Sequence, residues 1–309
     1  GTAWPLQATA VIVLPRPSGT CLRARLSSNV RRLDPMLYEQ AFVSLPEFLT
    51  GLPYRHFDYE GTLMSAFSMA VLQELNGRNI NNPISCLRSE VVYPAAPGKR
   101  ADLHLDLGAM NIMTPALAQY GIFQHNWLEA KYFKLNNDLH PTVDKLKVTL
   151  LLLKDIIRLV ALPPEQIGQP SQCGRYLLHA YQGPARRHIA EKKNTQNGNP
   201  GFTRNWVKSI RITGRQEICN VHAQQEVGQF DTVIGANLRP LQLEFGATTF
   251  AYEPRTNDTN VYWCYLTRID NFKVTLGQGW FKREGDQLTE SAANAYSTLV
   301  ANIVAGLTD

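Results

Sequence analysis

The sequence predicts a mixed α/β protein, α+β in its mixing, whose elements run helix, strand, strand, strand, helix, strand before a strand-rich second half. Three observations carry this. Leu63, Phe67, Val71 and Leu75 recur every four residues, the spacing of one helix face. Two segments, Arg100-Ala101-Asp102-Leu103-His104-Leu105-Asp106-Leu107 and Trp127-Leu128-Glu129-Ala130-Lys131-Tyr132-Phe133, alternate apolar and polar side chains. In a strand, residues i and i+2 share a face, so both segments read as strands. From about Val207 onward four further runs read as strands.

Residues 1–57 form an N-terminal extension punctuated by Pro15, Pro17, Pro35, Pro46 and Pro53, with a short helix expected near Pro35 to Val43. A helix follows from about Tyr59 to Leu75, with Asp58 as its N-cap, Glu60 in its first turn and Asn76-Gly77 ending it. Cys86 to Tyr93 reads as a strand and Pro94 to Gly98 as a turn. The two alternating strands come next, joined by an excursion from Gly108 to Asn126. Pro141 sits at the expected first position of a long helix, Thr142 to Leu162, which Pro163-Pro164 stops. Arg175 to Tyr181 is a strand candidate. Residues 58–182 thus form a core, and residues 183–309 a basic loop and strand-rich region packed on it. That region holds Val207 to Thr213, Leu241 to Tyr252, Val261 to Ile269 and Phe272 to Leu276 as strands, and Glu290 to Leu307 as a closing helix.

A chain of 309 residues with 44% apolar and 18% charged residues has the make-up of a globular protein with a large core. Its longest apolar run, Val148 to Val160, is broken by Lys154, Asp155 and Arg158, so no membrane-spanning helix is expected. Ala8 to Leu14 lacks a preceding basic region and runs into Pro15, so no signal peptide is expected either. The five cysteines are scattered, odd in number and never paired as Cys-x-x-Cys. That argues against a disulfide framework and structural zinc, and for a reducing, cytoplasmic setting.

The net charge is +5. The distribution says more than the total. Between Gly183 and Arg215 stand Arg186, Arg187, Lys192, Lys193, Arg204, Lys208, Arg211 and Arg215 against Glu191 alone, with Phe202 and Trp206 interleaved. A basic loop with aromatics can follow a phosphate backbone and stack on bases. The plainer reading is a solvated surface with two core aromatics.

On the third predicted strand Glu129 and Lys131 share a face, while Leu128, Ala130 and Tyr132 share the other. On the second, Asp102, His104 and Asp106 oppose Leu103, Leu105 and Leu107. Charges among such apolar neighbours are costly unless paired or bound to a cation. Two carboxylates beside one lysine suggest a site that holds a divalent metal and activates water.

These residues and this element order resemble the PD-(D/E)xK nuclease superfamily, the restriction-endonuclease-like fold with an αβββαβ core. Asp102 matches the family's first acid and Glu129-Ala130-Lys131 its Glu-x-Lys; Ala101 replaces the usual preceding proline. The likeness covers roughly Asp58 to Tyr181. Asp106 competes for the first role, but four residues separate it from Asp102, roughly 13 Å along a strand. The pattern Arg100-Ala101-Asp102-Leu103 favours Asp102.

The resemblance implies an Mg²⁺-dependent endonuclease, with Mn²⁺ as an alternative ion, that hydrolyses phosphodiester bonds in DNA, with RNA left open. Asp102 and Glu129 would bind the metal, and Glu60, on the first core helix, would join them. Lys131 would position or deprotonate water, or steady developing charge. Arg186, Arg187, Lys192, Lys193, Arg204 and Lys208 would contact the nucleic acid. Glu90, Lys145 and Lys147 have weaker claims. A restriction, anti-phage or repair role fits, and duplex cutters of this kind commonly act as homodimers. The rival readings are a binding module that keeps the fold without the chemistry, a secreted nuclease toxin, and an unrelated fold with a chance Glu-x-Lys.

Overall fold

A computed structural model describes residues 37–50, 59–108, 123–189, 205–222, 227–254 and 261–307. The elements in chain order are α1 (Leu37–Thr50), α2 (Glu60–Gly77), β1 (Leu87–Tyr93), β2 (Ala96–Asp106), β3 (His125–Phe133), α3 (Lys145–Ala161), β4 (Cys173–Gln182), α4 (Asn205–Ser209), β5 (Gly214–His222), α5 (Val227–Val233), β6 (Gln242–Tyr252), β7 (Tyr262–Leu276), β8 (Gly279–Glu284), β9 (Gln287–Glu290) and α6 (Ala295–Gly306).

Among the described residues one nine-stranded sheet runs in the order β1-β2-β3-β4-β7-β6-β5, with β8 and β9 extending from β7. Its pairings are antiparallel except β3 with β4, which are parallel and joined by the α3 crossover. The C-terminal half is therefore not a separate layer laid on the core. It continues the same sheet, because β7 pairs along β4 from Tyr176↔Arg268 to Gln182↔Tyr262.

The alternation seen in the sequence divides the two faces. Leu103, Leu105, Leu128, Ala130, Tyr176 and Leu178 point to α1 and α2 and bury Phe67, Val71 and Leu75. Trp127, Phe133, Leu177 and Tyr181 point to the other side, where α3, α5 and α6 lie. The central strand β4 is buried along its whole length, as a strand covered on both faces must be. α1 is tied to the sheet by a buried ion pair, Arg268 Nη1 to Glu39 Oε1 at 2.9 Å. At Gly235, with φ +130°, an added Cβ would lie 1.8 Å from the carbonyl oxygen of Gly306, so only glycine lets α6 end there.

Several expected boundaries move. Pro141 is not the first residue of the long helix. It forms a bridge with Leu135, and Asp144 caps α3 by accepting the amides of Leu146 and Lys147. Residues 207–213 are not a strand: α4 and a turn occupy them, and β5 begins at Gly214. The runs 261–269 and 272–276 are one strand, β7. The turn after β1 is shorter than expected, since Tyr93 already faces Ala96 in the register. The closing helix starts only at Ala295. Asp58, the expected cap of α2, lies outside the described residues; Tyr59 takes the cap position without a side-chain bond. Cys86, Cys173 and Cys264 are free and buried. Among the described residues, no helix is long and apolar enough to cross a membrane.

Candidate active site

β2 and β3 pair from Asp106↔His125 as far as Leu103↔Leu128 and then part. Beyond that point β3 continues along β4, from Glu129↔Leu177 to Phe133↔Tyr181. β2 continues along β1, from Ala101↔Val91 to Arg100↔Val92. A fork opens between them. Asp102 stands at its base and has no register partner on either neighbouring strand. Opposite it on β1, Glu90 adopts a left-handed backbone, φ +54°, a conformation that non-glycine residues rarely take within a strand.

The Asp102 side chain fills the place of the lost ladder. Its Oδ2 accepts the amide of Ala130 at 2.6 Å. The next side chains on β3 carry the rest of the cluster. Glu129 is completely buried. Its Oε1 accepts the Tyr93 hydroxyl at 2.7 Å, and its Oε2 lies 3.1 Å from Arg158 Nη1. Lys131 Nζ donates to the Ala130 carbonyl at 2.6 Å and lies 3.4 Å from both Glu60 Oε1 and Asp155 Oδ2. Arg158 also lies 3.5 Å from Asp155 Oδ1 and donates to the carbonyl of Arg100.

Four acids, Glu60, Asp102, Glu129 and Asp155, thus surround two bases, Lys131 and Arg158. Burial and mutual repulsion set their protonation. Burial pushes the Glu129 carboxyl well up, Asp155 and Asp102 push it further, and Arg158 opposes them. Asp155 is raised by burial against the pull of Lys131 and Arg158, and Glu60 by burial against Lys131. For Lys131 burial acts downward, but Asp155, Glu60, Asp102 and Glu129 together outweigh it and hold the ammonium form firmly. Among the described residues, no three His, Cys, Asp or Glu side chains are grouped as a bound metal ion would require. In this arrangement the charges inside the acid ring are the protein's own, Lys131 and Arg158.

Asp102, Glu129, Lys131 and Glu60 are therefore brought together. Asp106 is not part of the group: it lies 3.5 Å from His125 Nδ1 at the far end of the β2–β3 pairing. Asp155, Arg158 and Tyr93 escaped the sequence reading. The available signal was an acid and a base at i and i+3 inside the greasy run of α3, which places both on one helix face.

The basic stretch is only partly described. Lys192, Lys193, Arg204 and Phe202 lie outside the described residues. Arg186 and Arg187 are exposed on the turn after β4, and Lys208 is exposed on α4. Trp206 is 3% exposed within the core, so it has no face to offer a base. His188 feels the charges of both Lys145 and Arg187, which places Arg187 near the start of α3. Lys145 precedes Asp155 by ten residues, about 15 Å of helix.

Comparison with protein-family models, with curated proteins and with solved structures finds no match.

Proposed function

We propose that this chain is a metal-dependent nuclease that hydrolyses phosphodiester bonds in DNA, built on a restriction-endonuclease-like core of α2-β1-β2-β3-α3-β4. One observation carries the reading: Glu60, Asp102, Glu129 and Lys131, from three separate elements, converge where β2 and β3 part. A structural ion pair needs one acid and one base. Four acids to two bases leave two carboxyls beyond what the protein's own cations pair, a balance that a bound cation would complete.

The donors are all oxygens, the kind a hard divalent ion takes, but Glu60, Asp102 and Glu129 are not grouped closely enough here to ligate one. Glu129 Oε2 and Asp155 Oδ2 face Arg158 and Lys131 instead, so binding would draw the acids onto the ion in place of those bases. Asp102, Glu129 and Glu60 would hold Mg²⁺, or Mn²⁺ in its place. Such an ion, when bound, supplies stabilisation of charge on the phosphate oxygens and a lowered pKa for the attacking water. The chain's own groups do the rest. The Tyr93 hydroxyl fixes the orientation of Glu129, and the Ala130 amide fixes that of Asp102. Lys131, held as an ammonium by its acid neighbours, would donate to water or to a phosphate oxygen in exchange for one of its contacts to Glu60 and Asp155. That favours positioning and charge stabilisation over proton abstraction for this residue. Arg158 adds a second fixed positive charge beside Glu129.

The test is cleavage of plasmid and single-stranded DNA with Mg²⁺, Mn²⁺ or EDTA, beside Lys131→Ala. Metal-dependent cutting that the substitution removes is the expected result. Binding without cutting, over several DNA and RNA substrates, would transfer the reading to a non-catalytic binding module.

A further inference from the structure

Beside the acid cluster lies a cleft of about 310 Å³, within the size range of small-molecule sites. The outer end of β2 and one face of α3 form its walls. Lys99 and Arg100 come from β2, and Lys154 and Arg158, four residues apart, from α3. Glu90 and Asp102 are its acids, so the lining carries two more bases than acids. Lys99 also reaches the Leu307 carbonyl at 3.4 Å, which joins the end of α6 to the wall.

Two features make this more than a charged surface. The cleft shares Asp102 with the acid cluster and therefore opens onto it. Arg158 spans both, with Nη1 on Glu129 and its other terminal nitrogen on the Arg100 carbonyl. A group bound in the cleft is in register with whatever the cluster acts upon. Four bases lining an open cleft suit an anion such as phosphate, and the position beside Asp102 suits a phosphate one step along a strand from a reacting one.

Resting on the nuclease reading, we infer that this cleft holds a backbone phosphate adjacent to the scissile bond. Lys99, Arg100, Lys154 and Arg158, rather than the turn carrying Arg186 and Arg187, then set the register of the strand. That turn lies toward the other end of α3, near Lys145.

The test uses the full chain and a labelled DNA duplex, with Ca²⁺ replacing Mg²⁺ for binding and Mg²⁺ restored for cleavage. Arg100→Gln/Lys154→Gln is expected to weaken binding about tenfold. It should lower the magnitude of the slope of log K against log salt by roughly 1, about 0.9 for the one phosphate whose contacts are lost. It should raise KM while leaving kcat near the wild-type value. Arg100→Lys/Lys154→Arg keeps both charges and should restore the wild-type slope, which separates lost charge from lost packing. Unchanged affinity and slope in the glutamine variant, while the wild type still cuts, would overturn the cleft and leave the nuclease reading standing. An equal loss from Arg186→Gln/Arg187→Gln would reduce the effect to general attraction and also overturn it. A wild type that neither binds nor cuts DNA would remove both readings.

Discussion

Asp102 and Ala130 are joined across the fork in the sheet, the Asp102 Oδ2 accepting the Ala130 amide at 2.6 Å where a strand carbonyl would otherwise do so. One side chain therefore has two duties, closing the ladder and presenting a carboxylate to the cluster. Asp102→Asn separates them. The amide oxygen can still accept from Ala130, so the melting temperature should stay near the wild-type value. Cleavage should fall on the order of 10²-fold or more, because the charge is gone. Retained cutting in this variant would remove Asp102 from the chemistry.

The acid cluster also sets a pH dependence of stability. Burial, first among the causes, raises Glu129, Asp155 and Glu60 above their ordinary values. A carboxyl raised on folding binds more protons in the folded state. Its stabilising contribution is complete below the unfolded value and is lost as pH rises through the folded one. In metal-free buffer Glu129→Gln should therefore be more stable than wild type at about pH 8, and the gap should close toward about pH 4.5. Urea unfolding across that range measures it. A gap that widens on acidification would contradict the assignment.

His104 works in the opposite direction. Its ring lies against Trp127, with centroids 4.2 Å apart, and both ring nitrogens are buried without a hydrogen bond. Burial first, then the neighbouring His125, lowers its pKa to about 4. A base depressed on folding contributes stability present above 6.5 and lost as pH falls toward 4. His104→Phe keeps the ring contact and removes two unsatisfied nitrogens, so a gain of about 1 kcal/mol is expected at neutral pH. The variant should also lose part of the acid sensitivity seen in the wild type by thermal melting between those two pH values.

Arg268 is the strut between α1 and the sheet, bonded to Glu39 at 2.9 Å and to Asp270 at 2.5 Å. Arg268→Met would leave Glu39, already raised by burial, as an acid without a base. The expected cost is about 3 to 5 kcal/mol, read by denaturant unfolding. Glu39→Gln should cost less, because Asp270 still pairs with the arginine. Equal costs for the two would place the energy in packing rather than charge.

The core strands were legible because their periodicity is enforced on both faces. Leu103, Leu105 and Leu128 had to go to one cluster and Trp127 and Phe133 to the other, and they did. The i, i+2 relation of Glu129 and Lys131 followed from the same rule. Residues 207–213 were misread because Trp206, Val207 and Ile210 bury one side of a short helix and turn, and a run that short carries apolar residues without a decisive period. Pro141 misplaced the start of α3 because a proline suits both a helix first turn and a bridge, and Asp144 was the stronger cap. Asp155 and Arg158 were in plain view as interruptions of an apolar run. What linear order could not give was their partner: only the α3 crossover brings them over Glu129 and Lys131. The excess of acid over base was hidden for the same reason.

The hydrogen bond from Lys99 to Leu307 has a practical side. Leu307 is part of the cleft wall and follows directly on the end of α6. The shape of the proposed phosphate site therefore depends on how α6 is seated against the sheet, and a substitution that loosens that helix would act on strand binding from a distance, without touching any of the four bases.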